Sequence, residues 1–476
     1  MLVRSDLITS TLPTPVTSLR GAASAQTDGP ALATAEVPST IVSNSTALEA
    51  HAASWTYMAP TRYVPASMQA WQSRSEDTVS KLMARNFSST GNANRFNGLA
   101  GALLERFKTT PGDYQQAVAN YVPSSNTSVD ATAKTALSSI GNNALAKVSL
   151  SIRTRSGTVV NLTLTNQNDG LGVEIHSNGP LSATESQAIA QLSASFERAV
   201  QGFTADQPTV DIAGLGDYDS TVLSSIDLKG QMLRNGDSYR LDFHADASQR
   251  SLKMSSPTDQ VDMKVNLQNP ALWGSPAQRE QAIAQQLQKI SQAGSRGHGN
   301  AEWIGIVQDA FASMQRSYGV DASDSPQVPA STGTPTIKDS ALLSGLADFA
   351  LRITGMTQAT NPMRLDETDR FDFSLLQTTS TNGPADKPDS IQQRQTSRLK
   401  ANYHSALNAS AKLELTSEKK SQSYLYTRID DQDSLTVTLT RQLDQSMQVV
   451  VDKSAKTSAR VQHYEMGMLV EDRSTP

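Results

Sequence analysis

Between Ala144 and Leu228 the chain alternates apolar and polar residues, switches to an apolar spacing of three and four, and then alternates again. Few folds accept that order. Val148, Leu150 and Ile152 fall on one side while Lys147, Ser149, Ser151 and Arg153 fall on the other, the period-two pattern of a half-buried strand. Val160, Leu162 and Leu164 repeat it. Ser156-Gly157 separates the two runs, and a glycine takes the positive φ of a hairpin turn without steric cost. Asn168-Asp169-Gly170 makes a second turn, and Val173 with Ile175 a third strand before Asn178-Gly179-Pro180. The expectation is an antiparallel meander with one face toward a core.

A helix follows. Ser182-Ala183-Thr184-Glu185 matches a capping box, in which Ser and Glu each satisfy a backbone N–H of the first turn. Ile189, Leu192, Phe196, Ala199, Val200 and Phe203 then form one apolar stripe, ended by Gly202 and Pro208. That stripe predicts a helix lying on the sheet.

Composition narrows the class. Hydrophobic residues make up 37%, aromatics 5% and charged residues 18%, with Ser, Thr, Gln, Asn and Ala in their place. This fits exposed β-structure and neutral linkers better than a large compact enzyme. A length of 476 residues implies about three units at roughly 150 residues each. The net charge of −5 and the lack of a basic run argue against a nucleic-acid partner. The absence of cysteine excludes disulfides, a thiol nucleophile and Cys-ligated metals, and no cofactor motif is present. No stretch reaches the ~20 apolar residues of a membrane span. Met1–Asp6 does not open a secretory signal. The chain is therefore expected in the cytoplasm or exported by a signal-peptide-independent route.

In chain order, residues 1–60 are rich in Ser, Thr, Ala and Pro and are expected to be a disordered leader. Residues 68–122 read as helical: Val79, Leu82 and Met83 share a face, Leu99, Leu103, Leu104 and Phe107 another, and Asp113 would cap a third helix carrying Ala117, Val118 and Tyr121. Residues 123–134 read as a linker. Residues 144–320 form the β-meander and helix core. Its second half has Ile226 and Leu228, an Asn235-Gly236 hairpin turn, alternation through Tyr239–Ala245 and Val261–Leu267, and a helix opening at Ser275-Pro276. Gln-Ala-Ile-Ala-Gln occurs at 187–191 and 281–285, which suggests two degenerate repeats. Gly294–Asn300 breaks the pattern before a helix with Trp303, Val307 and Phe311. Residues 338–476 are expected to hold, after a linker at 321–337, a helix over Ala341–Thr354, a loose polar stretch at 377–397, and a C-terminal antiparallel β-region from Leu399. The predicted class is α+β, with antiparallel β-meanders each packed by amphipathic helices.

Chemistry-bearing residues are sparse. Six histidines (51, 176, 244, 298, 404 and 463) show no metal-ligand spacing and no His-Glu-x-x-His. His176 and His244 read as surface residues. His298 stands in Gly294-Ser295-Arg296-Gly297-His298-Gly299, where Ser295 and His298 can cradle an anion or a carbonyl oxygen. That loop lacks both the phosphate-binding ending and the nucleophile elbow, and the simpler reading is a hinge between two helices. Asp217 with Asp219 lies in a Gly-rich connection. Asp430, Asp431 and Asp433 crowd an expected hairpin turn, a weak metal candidate without the EF-hand order. Asp is also a favoured turn residue.

The run Leu181–Glu185 through Ala188-Ile189, Phe196 and Phe203, then Ile212–Leu215 and Leu223–Leu228, is similar to a helix-then-strand arrangement in uncharacterised proteobacterial proteins that pair polar β-meanders with such a helix. The resemblance implies a bacterial origin and carries no activity. The polar leader resembles in composition the export signals of type III and flagellar-type substrates, although an ordinary flexible tail is the simpler reading of the same composition. The function expected is a non-enzymatic interaction or structural protein with an unidentified protein partner. The alternatives are a hydrolase whose site gathers His298, Ser295, Asp217 and Asp219, and a secreted effector.

Overall fold

The computed structural model describes residues 67–73, 75–123, 128–319, 342–384, 388–408, 410–444 and 446–475. The chain divides into Met1–Tyr63 and Val64–Pro476, and every described residue belongs to the second unit. The expected leader and the 321–337 linker lie outside the described residues.

The alternating runs fold as strands of one antiparallel sheet rather than three. Its N-terminal part holds β1 (Met68–Trp71), β2 (Tyr114–Tyr121), β3 (Ala146–Thr154), β4 (Val159–Gln167) and β5 (Gly170–Ser177). Next come β6 (Leu223–Arg234), β7 (Asp237–Asp246), β8 (Gln249–Ser255) and β9 (Asp259–Asn266). The C-terminal part is built of β10 (Asp348–Asn361), β11 (Arg364–Asn382), β12 (Ser390–Ala406), β13 (Tyr424–Arg441), β14 (Met447–Lys456), β15 (Ala459–Glu465) and β16 (Met468–Thr475). Strands neighbour one another in the order β1-β2-β5-β4-β3, then β6 through β13 in sequence, then β15-β16, with β14 also on β13.

The helices are α1 (Thr78–Asn86), α2 (Asn92–Phe96), α3 (Leu99–Glu105), α4 (Val129–Ser138), α5 (Ala183–Gln191), α6 (Ser193–Thr204), α7 (Ala213–Gly216), α8 (Pro276–Arg296) and α9 (Ala301–Arg316). Phe96, Leu103, Phe196, Val200 and Phe311 are buried from these helices against Leu150, Leu162, Phe243 and Met263 of the sheet. The other face is largely solvated, as antiparallel sheets allow. There α4 leads into Ile140, which approaches Gly170 and Gly172 so closely that an added Cβ at Gly170 would stand 3.0 Å from it. No helix among the described residues is long and apolar enough to cross a membrane.

The capping box is present as read: the Glu185 N–H donates to Ser182 Oγ at 3.2 Å, and the Ser182 N–H donates to Glu185 Oε2 at 2.8 Å. Ser182→Ala is expected to cost about 1 kcal/mol, measured as a lowered denaturant midpoint; an unchanged midpoint would show the cap to be idle. The predicted single helix is two, α5 and α6, meeting at Leu192.

Four expectations fail for one reason: short apolar or polar runs do not fix their own period. The helix expected from Asp113 is strand β2, held between β1 and β5. The helix expected over Ala341–Thr354 is instead a turn leading into β10. Phe349, Leu351 and Ile353 alternate inward there, opposite Val265, Met263 and Val261. The described residues of 377–397 are not loose but hold the end of β11 and the start of β12, where Gln377, Gln393 and Gln395 are buried, Gln395 Nε2 donating to Gln377 Oε1 at 2.9 Å. The expected linker 123–134 contains the start of α4, with Ser128 as its cap.

The far end of the sheet is forked. β13 pairs β15 through Ile429↔Ala459 and β14 through Gln432↔Lys456, in one common register. Met447–Glu465 is therefore a single strand broken at Thr457-Ser458. There the Asp430 N–H donates to the Ser458 carbonyl at 3.0 Å, and the Ser458 N–H donates to Asp431 Oδ1 at 3.1 Å. β16 pairs β15 alone, so the outer edge of β14 stays open among the described residues.

Candidate functional site

The Gly-rich loop closes α8 against the sheet. At Gly297 an added Cβ would meet the Phe371 ring at 2.8 Å, so only glycine lets the loop pass that close. His298 then takes a positive φ of 53° and stacks on Tyr403 of β12, ring centroids 3.8 Å apart and 13° from parallel. Arg296 is tied to Asp431, Nη2 to Oδ1 at 3.1 Å. Ser295, Arg296 and His298 line one rim of an open groove of about 780 Å³, with Leu425, Thr427 and Val461 among the residues opposite. The structure thus brings Ser295 and His298 to one rim, but Gly294–Arg296 are the last turn of α8 and only Gly297–Asn300 break the helix before α9.

It does not bring the aspartates there. Asp219 accepts from the Thr221 hydroxyl at 2.5 Å and its N–H at 2.9 Å. Those hydrogen bonds hold its carboxyl below the ordinary range. This is turn chemistry. Asp217 closes α7, and its charge acts on the buried Arg250 of β8. β8 stands five strand positions from β13, roughly 24 Å at 4.8 Å per strand.

Asp430, Asp431 and Asp433 are not in a turn. They sit inside β13, where Asp431 and Asp433 share the face toward α8 and Asp430 points to the other, so the three carboxylates do not converge. Each is matched by a cation: Asp430 by Arg398 at 3.2 Å and Lys400 at 3.9 Å, Asp431 by Arg296, and Asp433 by Lys289 at 3.1 Å. Among the described residues no group of three His, Asp or Glu side chains could hold a metal ion.

The densest polar cluster was not anticipated. His404 of β12, its side chain 2% exposed, lies between Asp369 (Nδ1–Oδ1 2.6 Å) and Glu367 (Nε2–Oε2 3.2 Å) of β11. The Tyr424 hydroxyl donates to the same Glu367 Oε2 at 2.6 Å, and Asn361 Nδ2 donates to Tyr424 Oη at 2.9 Å. Burial alone would lower the His404 pKa; the bonds and charges of Asp369 and Glu367 outweigh it and hold the imidazole above its ordinary value. Burial, with the bond to Glu367, pushes the Tyr424 phenol up. One signal was available: Glu367 and Asp369 are two apart, so in a strand they share a face.

The open face carries a different pattern. Lys229, Asp242, Lys253, Asp262 and Arg352 stand opposite one another across β6 to β10, an alternating ladder of charge. Pairs such as Lys253–Asp262 at 4.0 Å are exposed and contribute little each to stability. They set register and keep the face wet.

Beyond β13 the apolar residues turn outward. Val450 and Val451 of β14 are 44% and 55% exposed, and Met468, Leu469 and Val470 of β16 are exposed as well. Comparison with protein-family models, curated proteins and solved structures finds nothing that matches this chain.

Proposed function

We propose that the chain is a non-enzymatic interaction protein whose contact surface is the uncovered end of the sheet, β13 to β16. The observation that carries this reading is the outer edge of β14. Among the described residues it presents unpaired backbone groups beside exposed valines, with no proline, and its charges Asp452, Lys453 and Lys456 are confined to the end beyond them. Proteins ordinarily shield such an edge, because it pairs with another strand. A strand added there gains main-chain hydrogen bonds, and its side chains meet alternating pockets. The test is to place Lys at Val450 and at Met468 of the full chain. Complexes recovered by cross-linking from the cells that make it should disappear while thermal stability holds. The same complexes, recovered unchanged from both variants, would overturn the reading.

One observation favours a second reading, a hydrolase: Ser295 and His298 share a groove. If the groove turns over an ester, peptide or phosphoester, Ser295→Ala and His298→Ala each lower the rate by about 100-fold or more. Turnover unchanged in both variants removes this alternative.

A further inference from the structure

We infer that the occupant of the β14 edge is the β14 of a second copy, paired antiparallel about a two-fold axis at Val450. This rests on the interaction reading above and names its partner.

Which backbone groups are free follows from the hairpin. The Gln442 N–H donates to the Ser446 carbonyl at 2.8 Å, closing the β13–β14 turn. Hydrogen-bonded and non-bonded pairs alternate along an antiparallel ladder. Gln448, Val450 and Asp452 therefore turn their backbone groups inward to Thr440, Thr438 and Thr436, their partners on β13. Met447, Val449, Val451 and Lys453 turn theirs outward. Two identical strands can meet only in registers that place outward groups against outward groups.

Charge selects among those registers. An axis at Asp452 sets carboxylate on carboxylate, and one at Lys453 sets ammonium on ammonium; like charges directly opposite are destabilising. An axis at Val451 drives Asp452 against Val450, and one at Val449 shortens the ladder. With the axis at Val450, Val449 faces Val451 twice and Met447 faces Lys453 twice. About eight backbone hydrogen bonds then form between the copies, two for each of the bonded pairs.

A second observation points the same way. Val437 and Leu439 of β13 form a small apolar cluster with Ile391 and Leu343, against which Val449 and Met447 pack half-buried. Val449 and Val451 stand opposite Leu439 and Val437 on that face. The cluster therefore runs to the sheet edge and stops there. Pairing about Val450 joins two such clusters through a row of four valines, continuing an existing core. β16 does not obstruct this, since it flanks only Ala459–Glu465.

The chain has no cysteine, so a single introduced thiol can form a disulfide only with another copy. Across a non-bonded pair the Cα atoms are about 4.5 Å apart, within disulfide reach, while diagonal positions stand about 7–8 Å apart and fall outside it. In the full chain, Val450→Cys should cross-link readily under mild oxidation, and Val449→Cys and Val451→Cys much less. Sedimentation of the unmodified chain should show a concentration-dependent dimer. Val450→Lys should weaken it by about tenfold or more while leaving the circular dichroism of the folded chain, and its melting temperature at concentrations where the parent is monomeric, in place. A monomer at all concentrations, or fastest cross-linking at 449 or 451, overturns the inference. If the chain is monomeric but cross-linked complexes sensitive to Val450→Lys persist, the inference alone fails; if those are absent too, the interaction reading fails with it.

Discussion

Replacing Glu367 with Ala is expected to destabilise the C-terminal strands by about 3–5 kcal/mol, the usual cost of removing one partner from a buried charged pair. Two groups would be stranded at once. The Tyr424 hydroxyl loses its 2.6 Å acceptor and His404 Nε2 its 3.2 Å carboxylate, both inside the protein. Glu367→Gln, which keeps an acceptor and loses the charge, should cost less. Denaturant unfolding followed by tyrosine fluorescence measures both. A loss under about 1 kcal/mol for the Ala variant would mean that water enters and the cluster is not held as a unit.

The same cluster gives a pH dependence with a definite sign. The folded-state pKa of His404 is raised. Its contribution is therefore fully present below the unfolded value, about 6.5, and is lost as pH rises through the higher folded value. Stability should fall on the alkaline side of about pH 6.5, and the difference between the parent chain and His404→Asn should shrink over that interval. His244, bonded to Asp227 at 2.7 Å and Asp246 at 3.1 Å, is raised too, so the difference between the chains isolates His404. A difference that stays flat or grows would contradict the assignment.

The second large effect lies where α6 meets β6. Phe203 fills the space that a side chain at Gly230 would take: an added Cβ would stand 2.5 Å from the ring. Phe203→Ala should cost about 3–5 kcal/mol through the cavity it leaves. Gly230→Ala should cost about 1–3 kcal/mol by overpacking, although Gly to Ala elsewhere in a strand commonly stabilises. Gly230→Ala combined with Phe203→Leu should be less harmful than the two losses summed, because the sites share one volume. Additive losses would separate them.

The fold class was legible wherever one period persisted. The runs at 148–152, 160–164 and 239–245, the capping box at Ser182 and the Asn235-Gly236 turn are all found where the pattern places them. Legibility failed where two periods fit the same residues. Leu346, Phe349, Ala350 and Ile353 satisfy a helical stripe, yet pairing with Val261–Val265 makes Phe349, Ala350 and Ile353 part of a strand. It failed also where polarity mimicked a loop, since Gln377, Gln393 and Gln395 are buried glutamines that bond one another and nearby backbone. Of the candidate site residues, local sequence grouped Ser295 with His298 correctly. It could not show Asp430, Asp431 and Asp433 each held by a cation from another strand or helix. Nor could it find His404, whose partners stand 35 and 37 residues away.

The strand order also governs how the chain reaches this state. From β6 to β9 and from β10 to β13 each strand pairs with the one made just before it. Contacts between consecutive hairpins close short loops, and low contact order speeds folding. Longer closures are required for β1 onto β2 across α1 to α3, β2 onto β5, β3 onto β6, and β10 onto β9 across α8 and α9. The sheet can therefore grow during synthesis in the direction of translation, each emerging strand finding a finished template beside it. The slow steps are those four closures.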